Sequence, residues 1–310
     1  MSRSFITLYD NFFNDHSCID ASKRESLHDL VRNTRVVIST AGPFALMGSN
    51  VVEFCARYGT SYVDITGEVD WSKSMIAKWD FEARKTGAKI ISFCGHDSIP
   101  WDLTSYKLAE KLATECDDDL LKTECYNEMN SAGASGGTIK TFLMGLDGSV
   151  SPKYVTDPWL QKNDGTKSAF RTKIESPLLP EKVVKLNEKD HKWNSYFVMS
   201  AVNGAVVRRT NALISRGNRK VTYREGLLSK DFKSSFVNSF GLYIAGAAIL
   251  NPITGYFLRK KLPTPGQGPS KKKMQQGYLC VHGIGIGSKG NQVESAFYFP
   301  RGVYTFVPCR

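Results

Sequence analysis

The sequence has no cysteine pair at CxxC spacing, no HxxxH or His/Cys cluster, and only five histidines scattered along 310 residues. Zinc sites and a thioredoxin-type redox motif are therefore not expected, and no metal is implied. The seven cysteines are odd in number and most sit inside apolar stretches. That pattern argues for reduced thiols in an intracellular, reducing compartment over a disulfide framework. The N-terminus lacks an apolar core followed by a small-residue cleavage site, so no signal peptide is expected. Acidic residues are scarce in the last third. Residues 201–310 hold 3 Asp/Glu against 17 Lys/Arg, whereas residues 1–200 hold 27 against 24. The formal net charge of +11 thus belongs to the C-terminal third. No helix-turn-helix, zinc-finger or RNA-binding signature accompanies it, so nucleic acid is not expected as a partner. What is present is ordinary globular composition, 41% hydrophobic and 23% charged, which excludes chain-wide disorder. The length suggests about two domains.

The first hundred residues alternate between helical and strand patterns. Ser22 and Glu25 have capping-box spacing, and Leu27, Leu30 and Val31 form one apolar face, so residues 22–33 predict a helix. Residues 36–39 (VVIS) predict a short buried strand, followed by a turn at 40–44. Val51, Val52, Cys55 and Ala56 then share a helical face, with Gly59 as its stop. A strand at 62–65, a helix at 71–86 and a strand at 89–93 follow, and Asp97 or Ser98 caps a further helix with Pro100 in its first turn. Brief apolar strands separated by helices predict an α/β fold with a parallel sheet and right-handed crossovers. Ligands of such sheets bind beyond the carboxyl ends of the strands, here 40–44, 66–68 and 95–98.

The pattern changes near residue 116. Asp117, Asp118 and Asp119 read as an acidic linker, residues 120–129 as a strand, and 131–137 as a glycine-rich stretch before a helix near Thr138. Residues 150–195 read as polar loops, 196–199 and 206–207 as strand pieces, and 262–278 as an exposed loop. Residues 278–286 and 293–299 alternate well enough for a hairpin around 288–291. The chain thus divides into a partial α/β domain at 1–116 and an α+β domain at 117–310.

Several strings carry candidate chemistry. Thr40, Ala41, Gly42, Pro43 and Phe44 form a strand-to-helix turn where Gly42 admits close backbone approach and the next helix offers N–H groups to a dinucleotide. A plain structural turn fits the same residues. Asp64 and Glu68 flank a strand end, where carboxylates bind polar substrate, move protons, or satisfy backbone N–H groups. In CGHDSIP, His96 is either an acid–base group or an ordinary loop histidine. The SAGASGGT stretch ending at Thr138 suits an anionic or ribose group, or an interdomain loop. HGIGIG at 282–287 leads into a turn and reads as an edge-strand or bulge feature.

Taken together, VVISTAGPFALMGSNVVEFCARYGTSYVDITGE, CGHDSIPWDL, SGGT, VVRRTNAL and PTPGQGPS resemble the saccharopine dehydrogenase-like oxidoreductase family, in the branch near the mycobacterial trans-acting enoyl reductases. The resemblance runs over roughly residues 20–300. It implies a Rossmann-like domain followed by an α+β substrate and dimerisation domain, with NAD or NADP as cofactor. Thr40, Ala41, Gly42, Pro43 and Phe44 would then be cofactor-binding, and Asp64, Glu68, Asp97, Ser98 and Thr138 substrate-side candidates. The implied partners are a small-molecule or lipid substrate bearing a carbonyl or enoyl group, and a second copy of the chain. Two departures stand out. Family members carry a strand and a GxxGxxG turn some tens of residues before the equivalent of Thr40, and the 39 residues here do not contain it, so the parallel sheet is expected to be incomplete at the N-terminus. His96 stands where the family generally has an aromatic residue.

One further segment separates two readings of the chain. Residues 236–258 carry no charge, and Arg259, Lys260 and Lys261 follow directly. The segment reads as a buried helix broken at Pro252, as a membrane-surface or hairpin insertion supported by the basic residues up to 273, or as a spanning helix; the resemblance implies a membrane or lipid-droplet surface as a partner through 236–273. The lipid-surface reading has a counterpart in function, a non-catalytic protein that keeps the fold without a complete cofactor site.

Overall fold

The computed structural model describes residues 5–10, 15–20, 24–130, 139, 143, 171–177, 179–183, 192–214, 220–263 and 268–300. Its contacts divide the chain into two units, the first running to His96 and the second holding nearly everything described from Asp97 onward. The helix at 99–116 therefore counts with the second unit, whereas the sequence pattern groups it with the first.

In the first unit, β1 (Phe5–Asp10) and β2 (Asp15–Asp20) pair antiparallel with each other. Helix α1 (Arg24–Arg32) precedes β3 (Val36–Ser39), which leads through α2 (Phe44–Met47) and α3 (Ser49–Tyr58) to β4 (Ser61–Asp64). Helix α4 (Val69–Thr86) then returns the chain to β5 (Ile90–Ile91). The strands form a parallel sheet in the order β3-β4-β5, as the alternating pattern requires. Leu27 and Val31 of α1, Val51, Val52 and Cys55 of α3, and Trp71 and Met75 of α4 pack on Val37 and Tyr62 of the sheet. Helices α3 and α4 each end at a glycine in the left-handed region, Gly59 at φ 78° and Gly87 at φ 81°, where a side chain would be strained. Only one face of β3 is covered. Val37 and Ser39 are buried, while Val36 and Ile38 are exposed. Among the described residues β3 has a neighbour on one side only.

The second unit opens with α5 (Ile99–Cys116) and β6 (Leu120–Asn130). It continues with β7 (Arg171–Ile174), β8 (Glu181–Val183), β9 (Lys192–Ser195), α6 (Ser200–Ile214) and β10 (Lys220–Ser229). Helices α7 (Phe232–Leu250), α8 (Pro252–Arg259) and α9 (Lys271–Gln275) follow, then the hairpin of β11 (Tyr278–Gly287) and β12 (Gln292–Phe299). The mixed sheet runs β12-β11-β6-β10-β9-β8, with β7 also on β10. At Asn251 the chain turns through 102° into α8, and no single described helix is long and apolar enough to cross a membrane.

Four sequence readings need correction. Residues 150–195 contain three strands, hidden because their buried positions are polar, among them Thr172, Asn194 and Ser195. Residues 196–199 form a turn and 206–207 lie inside α6, whose inward side also carries polar residues (Ser200, Asn203, Asn211). Strand β11 is interior rather than an edge. Gly283 and Gly285 let α5 approach it, since a Cβ on Gly283 would fall 2.3 Å from Thr104. Within the acidic run Asp117 and Asp119 are exposed, as a linker would have them, but Asp118 is not. Asp118 is buried and accepts from Ser288 Oγ (2.8 Å), the Lys289 N–H and Asn291 Nδ2 in the β11–β12 turn. Burial opposes its charge, but these hydrogen bonds outweigh it and hold the carboxyl well below the usual range.

Glu225 of β10 is fully buried at the centre of this sheet. Its Oε1 accepts from Asn203 Nδ2 (2.9 Å) and Asn127 Nδ2 (3.4 Å), and its Oε2 from the Tyr223 hydroxyl (2.8 Å). Trp101 Nε1 donates in turn to Asn127 Oδ1. All three donors to Glu225 are neutral, so burial dominates and pushes the carboxyl up from 4.5 to about 7. An unfolded chain loses this proton near pH 4.5 while the folded chain keeps it to about pH 7. Folding stability should therefore fall as pH rises through that window, by about 3 kcal/mol from this group, and level off above it. Urea unfolding across pH 5–8 should show the slope in the native chain and a shallower one in Glu225→Gln, with the variant the more stable at pH 8; buried Asp102, pushed up to about 6, keeps its own share of the slope.

Candidate functional site

The three parallel strands end together. Ser39 lies in register with Asp64, and β5 follows on the far side of β4, so the loops at 40–43, 65–68 and 92–96 emerge from one edge. This is the carboxyl edge at which such sheets hold ligands.

The first loop is a tight turn. Thr40 is exposed, Ala41 and Gly42 are half-buried, and Pro43 and Phe44 are buried. The Gly42–Pro43 peptide is cis. Phe44 anchors the turn by packing its ring 5.6 Å from that of Trp71, whose Nε1 donates to Ser49 Oγ at 3.0 Å. A Cβ on Gly42 would meet only ordinary contacts with the Phe44 ring, at 3.4 Å and beyond.

Both candidate carboxylates hold backbone. Glu68 accepts the N–H groups of Phe44 and Ala45, each at 2.8 Å. It therefore caps α2 from across the edge rather than α4, which it precedes and to which its side chain makes no cap bond. The sequence reading has the helix after the Gly-Pro turn presenting these N–H groups to a ligand. They are instead engaged by Glu68, because the carboxylate is the nearer anion. Asp64 is buried, and its Oδ1 accepts the N–H groups of Thr66 and Phe93 at 3.1 Å each, while Oδ2 accepts from Ser92 Oγ at 3.1 Å. Burial pushes the Asp64 carboxyl above its ordinary range, against the pull of those donors. Thr66 Oγ1 accepts the Glu68 N–H at 3.0 Å, which links the two carboxylates through the loop.

The structure thus brings Thr40, Ala41, Gly42, Pro43, Phe44, Asp64 and Glu68 to one edge. Asp97 and Ser98 belong to the second unit, Asp97 exposed and Ser98 buried at the head of α5. Thr138 and the glycine-rich stretch before it lie outside the described residues. Sequence reasoning did not single out Ser92 and Phe93. Phe93 sits at φ 64°, a conformation that bulky side chains avoid, with its N–H held by Asp64. A polar residue at a strand end, Ser92, three residues before Gly95, is the only local signal for this pair. Among the described residues no group of three or more His, Cys, Asp or Glu is placed to hold a metal ion.

Comparison with known proteins adds to this geometry. A trans-acting enoyl reductase of Mycobacterium ulcerans is 30% identical over 289 residues, which cover 84% of this chain and 66% of that protein. Such relatives support the oxidoreductase resemblance read from the sequence. A trans-acting enoyl reductase of Mycobacterium tuberculosis is 29% identical over 312 residues, covering 90% of this chain and 70% of the relative. The chain therefore spans about two thirds of the length of these relatives, 66% of the first. No protein-family model matches it. Among solved structures, the apo saccharopine dehydrogenase (L-Glu forming) of Saccharomyces cerevisiae overlays with a TM-score of 0.45 and 12% identity, covering 90% of this chain and 74% of the other.

The two N–H groups on Glu68 sit at the turn that follows β3. Replacing Glu68 by Ala leaves both without their acceptor and should destabilise the chain by about 2 kcal/mol. Glu68→Gln keeps one acceptor oxygen and should recover roughly half of that loss, measured as the shift in urea midpoint at constant slope.

Proposed function

We propose that this chain acts in nicotinamide-dependent hydride transfer, reducing a carbonyl or enoyl group on a lipid-like substrate. The family resemblance and the name of the relatives supply the reaction class. The observation that carries the reading is the exposed Thr40 and the half-buried Ala41 and Gly42 at the carboxyl edge of the parallel sheet, beside the two carboxylate-pinned loops.

The residues present fit one half of a dinucleotide. Gly42 offers backbone without a side chain, and buried Pro43 and Phe44 keep that backbone in place, so a flat nicotinamide ring would lie against residues 40–42. A pyrophosphate has less to hold it. The N–H groups of Phe44 and Ala45 are taken by Glu68, and the sequence contains no GxxGxxG turn. When bound, the nicotinamide supplies the hydride, and the protein supplies orientation. Asp64 and Glu68 act as positioning residues. Their oxygens fix the backbone on either side of the ring's place and are not directed at a reacting atom. A hydride donor needs no protein nucleophile, which agrees with an edge whose two carboxylates are engaged in structure.

Titration calorimetry with NADH and with NADPH tests the binding. At least one should bind, and Gly42→Val should weaken it by about tenfold or more, because a branched side chain would stand between backbone and ring. Loss of near-ultraviolet absorbance of the reduced cofactor on addition of a medium-chain enoyl thioester tests the chemistry. Absence of binding by either nucleotide overturns the reading.

A further inference from the structure

Strand β11 carries different chemistry on its two faces. Leu279 and Val281 pack with Trp101 of α5, and Gly283 and Gly285 admit Thr104 and Leu108 of the same helix. The alternate positions Tyr278, Cys280 and His282 point the other way and are half-buried. Residues two apart on a strand share a face, so the backbone itself sets Cys280 beside His282, with Sγ 3.3 Å from Nε2. In register with Cys280 stand Glu128 on β6 and Tyr298 on β12, the latter 63% exposed. Glu128 accepts from Lys192 Nζ at 2.6 Å and from the Tyr278 hydroxyl at 3.5 Å. A thiol, an imidazole, a carboxylate and an ammonium thus gather at one half-open place on the sheet.

Other cysteines are placed differently. Cys55 and Cys125 are fully buried, and burial pushes the Cys55 thiol up to about 12. Cys94 Sγ donates to the Ile91 carbonyl at 3.5 Å. Cys280 instead faces a base. Burial, with Glu128 second, raises its thiol above the ordinary range, and burial lowers His282 below its own. Both shifts favour the uncharged pair, a thiol beside a neutral imidazole. In the tautomer protonated on Nδ1, Nε2 is an acceptor for the thiol proton. This is the geometry of a nucleophile with its base, and it requires no standing thiolate.

The surroundings select the electrophile. Half-enclosure makes separated charge costly. A thiol that attacks a disulfide or an alkyl halide expels an anion, whereas one that adds to a conjugated carbonyl expels nothing. In that addition the sulfur–carbon bond forms at the β-carbon as the carbon–carbon π bond breaks, and its electrons pass to the carbonyl as an enolate. His282 Nε2 takes the thiol proton and returns it to the α-carbon. The pair begins and ends neutral, and no further reactant enters. Lys192, whose positive charge acts on both Cys280 and His282, offsets the transient charge of the enolate. We propose that Cys280 is a covalent capture site for α,β-unsaturated carbonyl compounds, with His282 as its base. The site uses no residue of the first unit's carboxyl edge, so it stands apart from the hydride-transfer reading.

Timed labelling with N-ethylmaleimide, a small conjugated carbonyl, read out by peptide mass spectrometry, tests this without cofactor or turnover. In the native chain Cys280 should be labelled about tenfold faster than Cys94 and Cys116, which are also half-buried and serve as internal controls. H282Q should slow Cys280 by about tenfold or more and leave the two controls unchanged. The pH profile separates a base from mere packing. In the native chain the Cys280 rate should rise as His282 loses its proton and then level off. In H282Q it should keep rising with pH, because only the thiol's own ionisation then supplies the nucleophile. Labelling of Cys280 no faster than that of the controls overturns the proposal in the native chain alone, with no variant needed. An unchanged rate in H282Q, or the same pH profile in both proteins, overturns the role of His282 and with it the site.

Discussion

Parallel strands that stop side by side leave peptide N–H groups beyond the last ladder bond, and an edge meant to hold a ligand cannot bury them under more sheet. The first unit satisfies them with carboxylates. Asp64 gathers the N–H groups of Thr66 and Phe93 together with the Ser92 hydroxyl, and Glu68 gathers those of Phe44 and Ala45. Each pair of acceptor oxygens reaches across more than twenty residues of chain, so three loops that would otherwise move separately share one framework. The left-handed backbone of Phe93 is held within that framework, and the Gly42–Phe44 turn owes its place to it as well as to the packing of Phe44 on Trp71.

Three buried carboxyls recur in this role with different electrostatic outcomes. Asp118 is surrounded by several donors from the β11–β12 turn, enough to favour the anion in spite of burial. Glu225 has two amides and a phenol, none of them charged, and burial wins. Asp64 lies between, with two backbone N–H groups and a hydroxyl failing to offset its enclosure fully. Enclosure and the number of donors together separate the three.

Much of the first unit is legible in the sequence because its signals are local. Residues 24–86 alternate with clean helical and strand periods, and Gly59 and Gly87 mark helix ends where the backbone turns left-handed. The second unit is harder for a physical reason. Its strands and α6 bury Thr172, Asn194, Ser195, Asn203 and Asn211, so the apolar period that betrays an element is interrupted by the polar residues that satisfy one another inside. At the candidate site, Asp64 and Glu68 are conspicuous in the sequence, but their partners are backbone groups, which carry no sequence signature. The same limitation hides the orientation of α7. Composition marks it as apolar, while only the positions of Ser235 and Ser239 reveal that the apolar side faces out.

The interior position of β11 bears on how the chain is made. Strand β6 pairs with β10 on one side and β11 on the other, and Asp118 beside it finds its donors in the turn that follows β11. A ribosome has therefore to deliver nearly the whole chain before the middle of the second sheet can close. During that interval β6 presents an unsatisfied edge and the inner face of α5 lacks its glycine-lined seat. Such late, long-range closure slows folding and leaves nascent chains open to association with one another. The β3–β5 sheet of the first unit, with helices between successive strands, closes within residues 36–91. The two halves of the molecule thus differ in when they mature as well as in architecture, and cellular folding assistance would be needed chiefly by the half that carries the mixed sheet.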